Sequence, residues 1–145
     1  MTDQEIVDFM KPFVPKTGVV LMWCTSSNQP RAEAVLEALD YEFKSSAVWV
    51  KLGEDGKPIS GLGLIFRNMH EVLLYATRGN MPGPQYQPPT AFLSPRGKHS
   101  AKPPEIRAEI EKMFPDFDES TRIELFSRDS GPGWRHFAKS VPKTA

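Results

Sequence analysis

Lys102, Glu124 and Arg128 are residues whose types and positions could hold a small ligand. They fall in "HSAKPPEIRAEIEKMFPDFDESTRIELFSR", His99 to Arg128. Lys102 stands just before a helix that starts near Pro104. A cation is poorly placed there, because the helix dipole favours anions at its N-terminus. An anionic ligand group would explain both the lysine and the free N–H groups. Glu124 alternates with Ile123 and Leu125 on a strand, and Arg128 lies just past it. Taken singly, each fits a solvated surface residue. Together they bring one acid and two cations to a common rim, which suits a small zwitterionic ligand.

A second group is basic. From Val72 to Pro104 there is no Asp or Glu, while Arg78, Arg96, Lys98, His99 and Lys102 all occur, with Tyr86 and Phe92 between them. Such a stretch could contact phosphates, with aromatics stacking on bases. A flexible surface loop is the alternative. His70 and Glu71 are neighbours on a strand, so they point to opposite faces and are not read as a metal pair. The three histidines are scattered and Cys24 is the single cysteine, so no metal site is expected. The sequence has no Gly-x-Gly-x-x-Gly, no phosphate-cradling Gly-rich loop with Lys and no nucleophile elbow.

The elements that must position these residues alternate between helix and strand. "TDQEIVDFMKP" reads as a helix with a Thr2–Glu5 capping box and an apolar face of Ile6, Phe9 and Met10. "GVVLMWC" is a continuous apolar run, as in a parallel strand buried on both faces. "QPRAEAVLEALD" is a second helix with Pro30 near its start and Ala32, Val35, Leu36 and Leu39 facing inward. "YEFKSSAVWVKL" and "HEVLLYATRG" are strands, separated by the glycine-rich loop "GEDGKPISGLG". A long proline-rich loop is expected from Gly79 to Pro103. A helix from "PPEIRAEIEKMF" with Ile106, Ile110 and Met113 on one face follows, then the strand "RIELFSR" and a last short strand in "WRHFAK".

This alternation argues for an α/β sheet, in which ligands bind beyond the carboxyl ends of the strands. If the strands are parallel, Thr25 to Asn28, Arg78 to Gly79 and Ser127 to Arg128 share one rim. One domain over residues 1–145 is expected from the length. Lys+Arg and Asp+Glu are both 18, so nucleic-acid contact must be local rather than global. A disulfide framework within the chain is impossible, and Cys24 is expected as a buried, inert thiol. No signal-peptide pattern or membrane-length apolar run is present. A soluble intracellular protein is expected, cytoplasmic, or nucleoplasmic in a eukaryote.

The blocks "VVLMWCTSS", "AVWVK", "RNMHEVLLYATRGN", "HSAKPPEIRAEIEKMFP" and "RIELFSR…GW", in that order, resemble the MT-A70 family of S-adenosylmethionine-dependent adenine-N6 methyltransferases. The resemblance runs from about residue 2 to 138. It implies a Rossmann-like three-layer methyltransferase sandwich with a mixed sheet. It implies S-adenosylmethionine as cofactor, held by Lys102, Glu124, Leu125 and Arg128, and adenine-containing DNA or RNA as substrate. Arg78, Arg96 and Lys98 are the expected nucleic-acid contacts. Two departures bear on the cofactor: "DSGPGW" is short, and "AKS" stands where relatives carry Gly-Asn-Gln-like polar contacts.

The larger departure is the family's catalytic Asp-Pro-Pro-Trp, which has no counterpart in this sequence; "QPPT" at Gln87 to Thr90 lacks both acid and aromatic. The start at "MTDQEI" resembles an interior point of the family, just after that loop. An N-terminal truncation relative to the family is therefore expected, with a missing segment or partner subunit supplying the motif and residues 1–145 inactive alone. The strand that feeds the loop would lie between the counterparts of "RIELFSR" and "GVVLMWC". Without it, those strands pair directly, leave bare edges or borrow a strand. The alternative function is a non-catalytic subunit that keeps the fold for partner or nucleic-acid binding.

Overall fold

The computed structural model describes residues 1–97, 101–127 and 131–138. Helix α1 (Asp3–Met10) opens with the expected capping box: the Glu5 amide donates to the Thr2 hydroxyl, and the Thr2 amide to the Glu5 carboxylate. Strand β1 (Gly18–Cys24) leads through a 3₁₀ turn (Ser26–Asn28) into helix α2 (Gln29–Ala38). Strand β2 (Glu42–Leu52) and strand β3 (His70–Arg78) follow, joined by a loop without helix. Strand β4 (Ala91–Pro95) precedes helix α3 (Pro104–Met113) and the short strands β5 (Ile123–Leu125) and β6 (Arg135–Phe137).

The main sheet has the order β1-β3-β2-β4. β3 runs antiparallel to both β1 and β2, and β4 runs parallel to β2. β1, β2 and β4 therefore share one direction and end at a common rim. The chain reaches β2 from β1 through α2, the crossover that parallel strands need. Between β2 and β3 no helix intervenes, so β3 returns antiparallel. This corrects the single rim expected from parallel strands. Arg78 lies opposite Gly18 at the start of β1, whereas Cys24 lies opposite Val72. Thr25 to Asn28 stand at the carboxyl rim; Arg78 and Gly79 stand at the other end of the sheet.

Two further expectations change. The stretch from Gly79 to Pro103 contains β4, hydrogen-bonded along β2 from Val48↔Ala91 to Leu52↔Pro95. Five residues between prolines carry too little pattern to announce a strand, and proline is tolerated because β4 is an edge. The "RIELFSR" strand is absent from the main sheet: β5 pairs in parallel with β6 in a two-stranded ribbon. Among the described residues, β1 is bonded to β3 alone, and its second edge is bare.

Hydrophobic burial occurs on both faces of the sheet. On one, α1 and α2 bring Val7, Met10, Val35, Leu36 and Leu39 against Val72, Leu74 and Ala76. The inward set foreseen for α2 is buried throughout. On the other, Ile106 of α3 packs with Trp49 and Leu73, flanked by Trp23 and Phe92. The buried Trp49 indole donates to the Ser94 carbonyl at 3.0 Å, and the Ser94 hydroxyl bonds Glu105 at 3.2 Å. These bonds tie β2, β4 and the first turn of α3 together. Leu125 of β5 packs on the first cluster, and rings link the ribbon to α1, with Phe126 on Phe9 at 4.7 Å and Phe137 on Phe13 at 4.6 Å.

Candidate ligand site at the carboxyl rim

Lys102 reaches back over the sheet from just before α3. Its ammonium donates to both oxygens of Glu71, at 2.9 and 3.0 Å. Lys51 at the end of β2 adds a second cation, 3.5 Å from the same carboxylate. Glu71 sits second on β3, opposite Trp49 in the register, and its side chain is only 15% exposed. Lys102 also lies 5.5 Å from the Trp23 ring centroid, and Lys51 lies 5.4 Å from that of Trp49. The two indoles meet edge to face at 6.1 Å. Indole faces attract cations, and most strongly where water is excluded.

The charges do not cancel. Two ammonium groups share one carboxylate, so the cluster keeps one positive charge. The N-terminus of α3 has no side-chain cap from Pro103, and Glu105 in its first turn already meets part of the dipole. The arrangement can therefore take an anionic group beside two aromatic faces.

Glu124 is half-buried and paired with Arg107 of α3 at 2.7 Å. No hydrogen bond or ion pair joins it to Lys102 among the described residues: Glu124 is held by Arg107 of α3, and Lys102 by Glu71 of β3. Leu125 contributes to the core. Phe126 has φ of 62°, a left-handed conformation uncommon for a bulky residue and often found beside functional positions. Arg128 and Lys98 lie outside the described residues. Arg78 is paired with Asp40 at 3.4 Å at the far end of the sheet. Arg96 follows β4 at the carboxyl rim, exposed and held through its backbone to Leu52. The two arginines are thus separated by nearly the length of β3, roughly 25 Å, and do not form one patch.

Phe92 is packed under α3, whereas Tyr86 is exposed and engaged by Glu109 and Lys112. Cys24 is half-buried rather than buried. Desolvation, then the nearby carboxylates of Glu33 and Glu71, pushes its thiol pKa above the ordinary value, which keeps it an inert thiol.

Sequence reasoning missed Glu71, Lys51 and Arg107. A carboxylate that opens a buried apolar strand is a signal: "EVLLYA" carries a lone acid where burial demands a partner. Its partner Lys102 is 31 residues away, and no local pattern encodes that distance.

The chain belongs to the MT-A70 family, whose pattern matches residues 2–139. It is also similar to the Type II methyltransferase M.MunI of Mycoplasma sp, at 29% identity over 127 residues. That alignment covers 86% of this chain and 51% of the relative, so the chain spans about half the length of the curated relative it matches. Among the described residues, no helix is long and apolar enough to cross a membrane.

Proposed function

We propose that this chain serves an S-adenosylmethionine-dependent methyltransferase that modifies adenine N6 in DNA or RNA. The supporting observation is the Lys102–Glu71–Lys51 cluster, positively charged in sum, at the carboxyl rim of the sheet. A cofactor carboxylate matches that excess charge. Glu124, oriented by Arg107, is an acceptor for ribose hydroxyls, and Arg128 follows on the same segment. The bound cofactor would supply an electrophilic methyl on a sulfonium. The three-layer, Rossmann-like arrangement implied by the resemblance is supported by α1 and α2 on one face of the sheet and α3 on the other.

These residues bind and orient; none of them activates the amine. The adenine amine is a weak nucleophile because its lone pair is delocalised into the ring. An acid and a proline carbonyl accepting its hydrogens would localise that pair, and positioning would do most of the rest. The sequence has no Asp-Pro-Pro-aromatic, so turnover requires that constellation from another segment or chain.

Calorimetry with S-adenosylmethionine tests the site. Lys102→Ala and Glu124→Ala should each weaken binding about tenfold or more, the value of a charge-assisted hydrogen bond. Unchanged affinity in both variants would sink the assignment. A methyl-transfer assay on adenine-containing DNA and RNA should show no turnover by residues 1–145 alone.

A further inference from the structure

The loop between β2 and β3 carries the most exposed apolar side chains among the described residues. Leu62, Leu64, Ile65 and Phe66 are 96%, 106%, 87% and 87% exposed. Four large apolar side chains within five residues, held in water, need an occupant. The segment is a closed hairpin-like blade. Gly61 donates its amide to the Asn68 carbonyl at 2.9 Å, and Lys51 donates to Met69 at 3.2 Å. A Cβ on Gly61 would strike the Asn68 carbonyl oxygen, and one on Gly63 would strike that of Phe66. The two glycines thus allow the blade to be one backbone thick, with its apolar residues at the tip.

The charge around the blade selects the partner. Glu54 and Asp55 stand at the foot of the loop; beyond them, from Gly56 to Pro104, the only acid is Glu71, and two lysines already hold it. Lys57, Arg67 and Arg96 are exposed at the same rim and make no ion pair among the described residues. Arg67 directly follows the tip, and with Lys57 and Arg96 it stands without an ion pair on the described residues around the blade. A protein partner accounts for the tip but leaves these cations unmatched. A polyanion with an apolar interior accounts for both.

We propose that the tip formed by Leu64, Ile65 and Phe66 is a wedge that enters between base pairs of duplex DNA, with Arg67 and Arg96 on the flanking phosphates. The inference rests on the nucleic-acid methyltransferase reading and deepens it. An adenine amine is out of reach inside a stacked duplex, so its nucleotide must be extruded. Apolar wedges that unstack a base step lower the cost of that distortion. The blade leaves the sheet at the carboxyl rim that carries Lys102 and Glu71, so an unstacked step would lie beside the ligand site.

Fluorescence anisotropy with a labelled mixed-sequence DNA duplex, and with the matching single strand, tests the wedge. The variant Leu64→Ser/Ile65→Ser/Phe66→Ser changes only exposed side chains. It should bind duplex about tenfold more weakly while keeping single-strand affinity, because a single strand has no paired stack to open. Its salt slope should equal that of the parent chain, whereas Arg67→Ala should reduce the slope by about one. Equal duplex affinity in parent and triple variant, an equal loss on single strand and duplex, or no duplex binding by the parent at low salt overturns the proposal. So does sedimentation showing a parent dimer that the triple variant dissociates, which would make the tip a contact between copies. Calorimetry with S-adenosylmethionine on the same proteins separates the two ideas. Duplex binding through the wedge without cofactor binding would defeat the functional reading alone.

Discussion

At the scale of single residues, the decisive feature is a carboxylate with two lysines. Glu71 is mostly shielded from water, and its ion pairs are therefore screened less than surface ones. Removing it leaves Lys51 and Lys102 facing each other without compensation. Glu71→Gln should lower stability by about 2 kcal/mol, read from urea denaturation midpoints. Added salt should narrow the gap to the parent, because it screens the repulsion left behind. A variant as stable as the parent would mean that solvent already carries both ammonium groups. The sequence showed Lys102 and Glu124 as chemically odd placements, a cation at a helix start and an acid on a strand. It did not show their partners, because Lys102 meets Glu71, and Glu124 meets Arg107, only in the folded chain.

At the scale of elements, local rules were legible and direction was not. The Thr2–Glu5 box, the proline at the start of α2 and its inward stripe follow from spacing alone, and each is present. The direction of β3 is not written in its own residues, since an apolar run is buried in either orientation. Its signal lay in the connection: "GEDGKPISGLGLIFRNM" has no helical stripe to make a parallel crossover. β4 was hidden by the prolines around it. The energetic ranking of elements follows from burial. Leu74 in the central strand is fully buried, and Leu74→Ala should cost about 3 kcal/mol through lost contacts and the cavity left behind. Thr2→Ala removes one exposed cap bond and should cost about 1 kcal/mol. Paired chemical melts measure both, and a larger loss for Thr2 would contradict the packing described.

At the scale of the whole molecule, the sheet has two unlike ends. The carboxyl rim gathers Lys102, Lys51, Arg96 and the apolar blade; the opposite end holds Arg78 already matched by Asp40. Composition averaged this asymmetry to zero, and the reversed β3 is what separates Arg78 from the other cations. The sheet also has an open edge at β1, which among the described residues is hydrogen-bonded on one side only. In an antiparallel edge strand, alternate residues aim their amides at the partner and the others aim outward. Deuterium exchange resolved to single amides should therefore show a period-two pattern from Val19 to Cys24. Every second site should exchange slowly and its neighbours within the fast, locally open class. Uniform slow exchange would reveal that something already sits along that side. A peptide or subunit that docks there as a further strand would be recognised by the disappearance of the alternation, before any activity is measured.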